Sequence, residues 1–255
     1  MSGHGAGLSL VVPAYNEAIR IEHTLGELEA WRARGPGVGA ELVLVDDGSE
    51  DATLPLLRGW AHGRDRVQVL ALPHRGKGHA VRAGMLAAQG ARVAFADADL
   101  ATPLDELQRL LAALEAGADV AIGSREGPGA VRENEPGYRH VLGRGFNWLV
   151  QALVLPGIAD TQCGFKLFRA EAAREVFGRL RRYGAAGPLA RGANVTAFDV
   201  EVLLVARHLG YTITEVPVRW RHERGSKVRP LLDTARMARS VCELAIRSRL
   251  RGGAT

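Results

Sequence analysis

The sequence predicts an α/β fold, a doubly wound and mainly parallel sheet with helices on both faces. Short apolar runs of four or five residues alternate with helix-spaced apolar patterns from Leu8 to Gly123. These runs are mostly apolar rather than strictly alternating, which suits a mainly parallel sheet covered on both faces. The 255 residues are 47% hydrophobic and 24% charged, enough to build a large core without covalent staples.

Leu8 to Val12 forms the first run, and Pro13 is expected to end it. Asn16-Glu17 then open a helix whose apolar side carries Ile19, Ile21, Leu25 and Leu28. The same unit recurs as strand Glu41 to Val45 with a helix after Asp51, strand Val67 to Ala71 with a helix from Lys77, and strand Val93 to Ala96 with a helix from Pro103. Val120 to Gly123 is a fifth strand. Ser124 to Gly145 has no period that would bury a face and is read as a long loop, followed by a helix over Phe146 to Leu155. A short strand is expected over Gly164 to Phe168 and a helix from about Glu171. Arg179 to Asn194 is rich in Gly and Arg; a helix from Asp199 to Leu209 and a strand from Thr212 to Val218 come after it. Pro230 to Arg251 reads as a basic amphipathic helix with Leu231, Ala235, Ala238, Val241 and Ala245 on one side. No repeat or low-complexity linker divides the chain, so one domain is expected over 1–255, with a regular half (8–123), a less regular half (124–229) and the terminal helix (230–251).

Composition narrows the function. There are 33 Lys and Arg against 28 Asp and Glu, a formal charge of +5, which favours anionic ligands. Aromatic residues are 5% and no nucleic-acid-binding module is recognisable, so a nucleic-acid partner is not expected. Cys163 and Cys242 match no metal spacing and suit a reducing compartment. The N-terminus lacks a secretory pattern, and no apolar run approaches the roughly 20 residues that cross a bilayer. The expected location is the cytoplasm, with peripheral contact at the inner face of the membrane as an extension through the Arg-rich terminal helix.

Ligands of open α/β sheets bind beyond the carboxyl ends of the strands, and those ends are polar here. The first strand leads into Pro13-Ala14-Tyr15-Asn16-Glu17, the second into Asp46-Asp47-Gly48-Ser49 and the fourth into Asp97-Ala98-Asp99. So many carboxylates at one edge call for a cation or hydrogen-bond donors among them. Asp97 and Asp99 are two apart and can approach one hard cation, Mg²⁺ or Mn²⁺, whose shell a diphosphate would complete. Asp99 could instead cap the helix near Pro103, and a dehalogenase-type phosphatase also carries such a pair, though after its first strand. Asp46 and Asp47 suit either a capped turn or acceptance from a base N–H or ribose hydroxyl. His74-Arg75-Gly76-Lys77-Gly78 opens a helix, so its amides and Lys77 can converge on an anion. It is not a P-loop, and no dinucleotide-binding glycine pattern follows the first strand.

Taken together, Val11 to Glu17, Val45 to Ser49, Gly76-Lys77-Gly78, Asp97-Ala98-Asp99 and Gly123-Ser124-Arg125 stand in the order seen in family 2 glycosyltransferases. The chain resembles that family over roughly residues 8 to 230, and the resemblance implies the GT-A fold. Asp160 to Phe168, Phe198-Asp199-Val200-Glu201 and Gly225-Ser226-Lys227 resemble its polyprenyl-phosphate branch, which contains the dolichyl-phosphate glucosyltransferases and mannose synthases. Mannose synthases often carry Gln where this chain has Ala101, which tilts the reading towards glucose.

The resemblance implies that Pro13, Ala14, Tyr15, Glu17, Asp46, Asp47, Lys77, Asp97, Ala98 and Asp99 hold a nucleotide sugar, UDP-glucose first and GDP-mannose second. It implies a metal on Asp99 and Asp97, with Mg²⁺ or Mn²⁺ as cofactor. It places Arg125, Arg139, Arg144, Gln162, Lys166, Arg224 and Lys227 towards a polyprenyl phosphate acceptor, although a solvated basic loop would look alike. Asp99 and Asp199 are the expected catalytic residues of a single displacement with inversion at the sugar C1. A phosphate acceptor is already anionic near neutral pH and needs no strong base. An alcohol acceptor would need one, and Asp199 is its candidate, although Asp199 could also cap the helix it precedes. A hydroxyl acceptor and a catalytically silent nucleotide-sugar binding protein are the alternatives. A sugar-phosphate nucleotidyltransferase should open with a Gly-rich loop where Pro13-Ala14-Tyr15 stands.

Overall fold

The computed structural model describes residues 7–135, 137–181, 183, 197–222 and 237–246, with the side chains of residues 138–142 left aside. Nine strands run β1 (Leu8–Ala14), β2 (Glu41–Asp46), β3 (Val67–Ala71), β4 (Arg92–Ala96), β5 (Val120–Ser124), β6 (Val131–Glu133), β7 (Phe165–Arg169), β8 (Ile213–Pro217) and β9 (Arg219–Arg221) among the described residues. The helices are α1 (Ile21–Arg32), α2 (Thr53–Ala61), α3 (Lys77–Ala87), α4 (Leu107–Glu115), α5 (Gly137–Leu153), α6 (Ala170–Gly178) and α7 (Phe198–His208); residues 237–246 are helical too. Seven strands form one sheet in the order β3-β2-β1-β4-β7-β5-β8, and β6 and β9 make a separate parallel pair.

Side chains alternate across the sheet, so each strand feeds two cores. Leu10, Val12, Leu42, Leu44, Ala94 and Ala96 face one core, which α1 closes with Leu25, Leu28 and Trp31 and α4 with Leu107, Leu110 and Leu114. Val11, Val43, Val45, Val93 and Phe95 face the other core, closed by residues of α3, α5, α6 and α7. The helix at 237–246 packs there through Met237, Val241, Leu244 and Ala245. Its expected inner residues Leu231 and Ala235 lie outside the described residues. Among the described residues no helix is long and apolar enough to cross a membrane.

All five strands of the first half lie where expected, and the differences have physical reasons. Pro13 does not end β1, which continues to Ala14 in register with β2 (Pro13 opposite Val45). Pairing with β4 stops at Val11, so the proline sits where β1 is an edge on that side and its missing N–H breaks no ladder. Ile19 is not on the inner face of α1. It is wholly exposed, in a turn closed by Arg20 and Ile21 amides on the Glu17 carbonyl before the helix begins. The expected loop from Ser124 to Gly145 contains β6 and the first turns of α5. β6 is only three residues long and gains its register from β9 far along the chain, which no local period reveals. β7 is antiparallel to both β4 and β5, the exception in the main sheet.

Candidate functional site

Strand order reverses between β1 and β4, because β2 and β3 extend to one side of β1 while β4 lies on the other. The crevice beyond the ends of these two strands is therefore the expected binding position. Two non-glycine residues with left-handed backbone mark its rims, Asn16 (φ 52°) after β1 and Leu100 (φ 48°) after β4. Such conformations are unfavourable for a residue like leucine and cluster at functional sites.

The β2 end carries two buried aspartates with different duties. Asp47 accepts the Arg75 amide through Oδ1 (3.0 Å) and the Gly76 amide through Oδ2 (2.8 Å), and His74 Nδ1 lies 2.8 Å from Oδ2. It ties the β2 end to the turn that opens α3. Asp46 Oδ2 accepts the amides of Gly48 (3.1 Å) and Ser49 (3.0 Å), whereas its buried Oδ1 has no hydrogen-bond partner among the described residues. Of the pair, Asp46 retains an acceptor for a ligand N–H. Gly48 is required directly after them: φ is +70° and a Cβ would stand 2.6 Å from the His74 nitrogen.

Tyr15 lies flat on the His74 ring, with centroids 3.8 Å apart and planes within 2°. His74 is thus a site residue that motif reading missed; it lay inside the quoted His74 to Gly78 segment, but only the fold brings it under Tyr15. Pro13 and Ala14 contribute backbone, and the Ala14 carbonyl accepts the Asp47 amide (2.9 Å). Glu17 donates its amide to Thr53 Oγ1 (2.8 Å) and pairs with Arg20 (2.6 Å), which anchors the turn after β1.

On the β4 side, Lys77 at the start of α3 reaches across to Asp97, with Nζ 2.6 Å from Oδ1. Burial would lower the Lys77 pKa, but the charges of Asp97 and then Asp199 outweigh it and hold the ammonium well above its ordinary value. Asp97 passes so close to Gly164 that a Cβ there would sit 2.1 Å from its Oδ2, so glycine makes room for the aspartate. The Ala98 carbonyl is fixed by Thr24 Oγ1 (2.6 Å). Asp99 is exposed at the crevice and accepts the Ala101 amide (3.2 Å); it caps no helix, since α4 begins after Glu106. Desolvation and then the charge of Asp97 push its carboxyl up to about 6. Leu100, Ala101, Thr102, Phe165 and Trp220 wall the adjoining depression.

The expected acceptor residues separate into different environments. Arg125 is not a free loop cation: its amide and Nε hold Asp160 Oδ2 (2.9 and 2.7 Å), its Nη2 holds Oδ1 (2.9 Å), and its guanidinium lies over Trp220. Burial opposes ionisation of Asp160, but Arg125 outweighs it and keeps the carboxyl well below the usual range. Glu215 on β8 accepts the amides of Ala159 and Asp160 (2.7 and 2.9 Å), which locks this segment to the sheet. Gln162 is half-buried and held by Asp160 Oδ1 through its amide. Lys166 does not face an acceptor either, being fully buried on β7. Its Nζ lies 2.5 Å from Asp199 Oδ1 and from the Cys163 carbonyl. Asp199 sits in the first turn of α7, whose cap position is Ala197, so the capping reading of Asp199 does not hold. Arg144 is exposed on α5. The Arg139 side chain, Arg224 and Lys227 lie outside the described residues.

Asp97 and Asp99 offer only carboxylate oxygens, the donors that Mg²⁺ and Mn²⁺ take. Among the described residues no group of three or more His, Cys, Asp or Glu is arranged to hold a metal. Two carboxylates suit a cation that completes its shell with water and ligand phosphates.

The likeness to known proteins agrees with this geometry. The chain is 39% identical to a Drosophila melanogaster dolichyl-phosphate β-glucosyltransferase over 94% of its own length and 74% of the relative's. It is 36% identical to a Homo sapiens protein of the same name over 94% and 75%. Among solved structures, a Pyrobaculum calidifontis mannosyltransferase in complex with GDP-Man and Mn²⁺ superposes with a TM-score of 0.61 at 23% identity, covering 94% of this chain and 64% of that one. A Mycobacterium tuberculosis glucosyl-3-phosphoglycerate synthase gives 0.61 at 22%, over 95% and 79%. Both support the GT-A fold. The family profile described as Glycosyl transferase family 2 matches residues 9–177, and with these relatives it shows that the chain is a glycosyltransferase belonging to family 2.

Proposed function

We propose that the protein transfers glucose from UDP-glucose to dolichyl phosphate or another polyprenyl phosphate, with inversion at C1 and with a divalent cation. The observation that carries this reading is the likeness, along nearly the whole chain, to relatives named dolichyl-phosphate β-glucosyltransferase at 39 and 36% identity.

The geometry supports a division of labour. Tyr15 on His74 offers a flat face to the base, and Asp46 Oδ1 accepts a base N–H. Lys77 lies where the diphosphate would pass between α3 and Asp97. Asp97 and Asp99 would hold Mg²⁺ or Mn²⁺, which neutralises charge on the departing diphosphate. An oxygen of the acceptor phosphate forms the new bond to C1, while the C1–O bond breaks with its electron pair leaving on UDP. No proton need move, because the acceptor arrives ionised. Arg144, with Arg139, Arg224 and Lys227, is assigned to the acceptor. Arg125 and Lys166 are assigned to holding the walls of the site.

The test is UDP or GDP release from a panel of nucleotide sugars, with Mn²⁺, Mg²⁺ or chelator, and with or without a short polyprenyl phosphate. Release from UDP-glucose that needs both metal and lipid phosphate is expected. Preference for GDP-mannose would overturn the donor assignment, and release indifferent to lipid phosphate would overturn the acceptor.

A further inference from the structure

A lysine with no exposed surface in the middle of a sheet is costly unless its charge is matched. Lys166 has that position, on β7 between Phe95 of β4 and Ile122 of β5. Its ammonium is held by the Cys163 carbonyl and by Asp199 Oδ1, each at 2.5 Å, and lies 5.4 Å from the centre of the Phe95 ring. The two charged partners are 33 residues apart in sequence and come from different layers, strand and helix. Asp199 is itself almost wholly buried, and its charge also bears on Lys77, the cation paired with Asp97. Two ion pairs, Lys166 with Asp199 and Lys77 with Asp97, thus form a row of charge linked by the action of Asp199 on Lys77.

We infer that Lys166 is a positioning residue that commits Asp199 to this charge row, and so restricts the enzyme to acceptors whose attacking oxygen is already anionic. The inference rests on the proposed phosphate acceptor and assigns the residues that exclude the competing class. With phosphate, the attacking oxygen carries its own charge and no group need accept a proton. With water or an alcohol, the oxygen forms its bond to C1 only as its proton passes to a base while UDP leaves with the C1–O electron pair. Asp199, whose charge acts on Lys77 beside Asp97, is the carboxylate assigned to that task, and Lys166 occupies one of its two oxygens.

The experiment compares wild type, Lys166→Met, Asp199→Asn and the double variant Lys166→Met/Asp199→Asn. Each is given UDP-glucose and Mn²⁺ with a short polyprenyl phosphate, and both glucosyl phosphate and free glucose are measured. Wild-type transfer is read first; its absence overturns the acceptor assignment and this inference with it. Given transfer, the ratio of free glucose to glucosyl phosphate should rise about 10²-fold in Lys166→Met, the lower end of the range that a general base supplies. It should return to the wild-type value in the double variant, where an amide replaces the carboxylate and cannot take a proton. The double variant also removes both buried charges together, so it remains folded if Lys166→Met alone is destabilised. An unchanged ratio in Lys166→Met, or an equal rise in the double variant, would overturn the inference while leaving the phosphate acceptor intact. The pH profile gives an independent readout: the rise in transfer near pH 6 belongs to the acceptor phosphate and should persist in Asp199→Asn. Loss of that rise would make Asp199 the base.

Discussion

Two pairs of buried carboxylates are held in different ways. At the end of β2, Asp46 and Asp47 are fixed mainly by backbone amides, four in all from Gly48, Ser49, Arg75 and Gly76. In the second half of the chain, Asp160 and Asp199 each have a cationic side chain as charged partner, Arg125 and Lys166. An amide cradle keeps its shape whatever ligand arrives, and can leave one oxygen over, as at Asp46. A buried ion pair tolerates the loss of neither partner. The Asp46–Asp47 turn thus keeps an acceptor free for a ligand, whereas the Asp160 and Asp199 pairs hold charge in the interior.

Asp99→Ala should lower kcat by about 10²–10³ by removing transition-state charge stabilisation, and the UDP-release assay reads it directly. Asp46→Ala, on the amide-held side, should instead raise the KM for donor with little change in kcat.

Stability separates the two pairs next. Asp160→Ala leaves the mostly buried Arg125 unpaired and should cost about 3–5 kcal/mol in urea unfolding. Asp47→Ala leaves amides unsatisfied and should cost only about 1–3 kcal/mol. Because Arg125 depresses the folded pKa of Asp160, its contribution is complete at neutral pH and fades as pH falls below about 4. Equal losses in the two variants would remove the distinction.

Gly164→Ala is a smaller, sharper probe. The added Cβ displaces Asp97 rather than the core, so activity should fall while the melting temperature changes little.

The mildest effect concerns protons on Asp99. Its folded pKa, about 6, exceeds the unfolded value. The metal-free native state therefore holds the extra proton, and stability from this group is present at low pH and lost as pH rises through 6. Asp99→Asn should raise the melting temperature of metal-free protein slightly at pH 7.5 and not at pH 4, and should abolish stabilisation by Mn²⁺. Wild-type affinity for Mn²⁺ should increase from pH 5 to pH 7, measurable by calorimetry.

The same contrast explains what could be read from the sequence. The strands of the first half are mostly apolar runs, and their polar ends are short motifs, so Asp46, Asp47, Asp97 and Asp99 could be picked out before any fold was known. His74 was visible as part of a motif, but its stacking on Tyr15 depends on parallel strands bringing two turns together. In the second half, Arg125 and Asp160 are 35 residues apart and Lys166 and Asp199 are 33 apart. No local period encodes such pairs. Arg125 and Lys166 therefore read as surface cations awaiting a phosphate, while the fold commits both to internal partners. β6 and β9 were illegible for the same reason, since each is three residues long and is defined by the other.

An ionised phosphate, rather than a hydroxyl, is the proposed acceptor of the sugar. The decisive experiment offers the enzyme, UDP-glucose and Mn²⁺ a polyprenyl phosphate and the matching polyprenol side by side, and separates the glucosylated lipids. A β-linked glucosyl phosphate and no glucosylated polyprenol are expected. Glucosylation of the alcohol at a comparable rate would contradict that assignment and return Asp199 to the role of base.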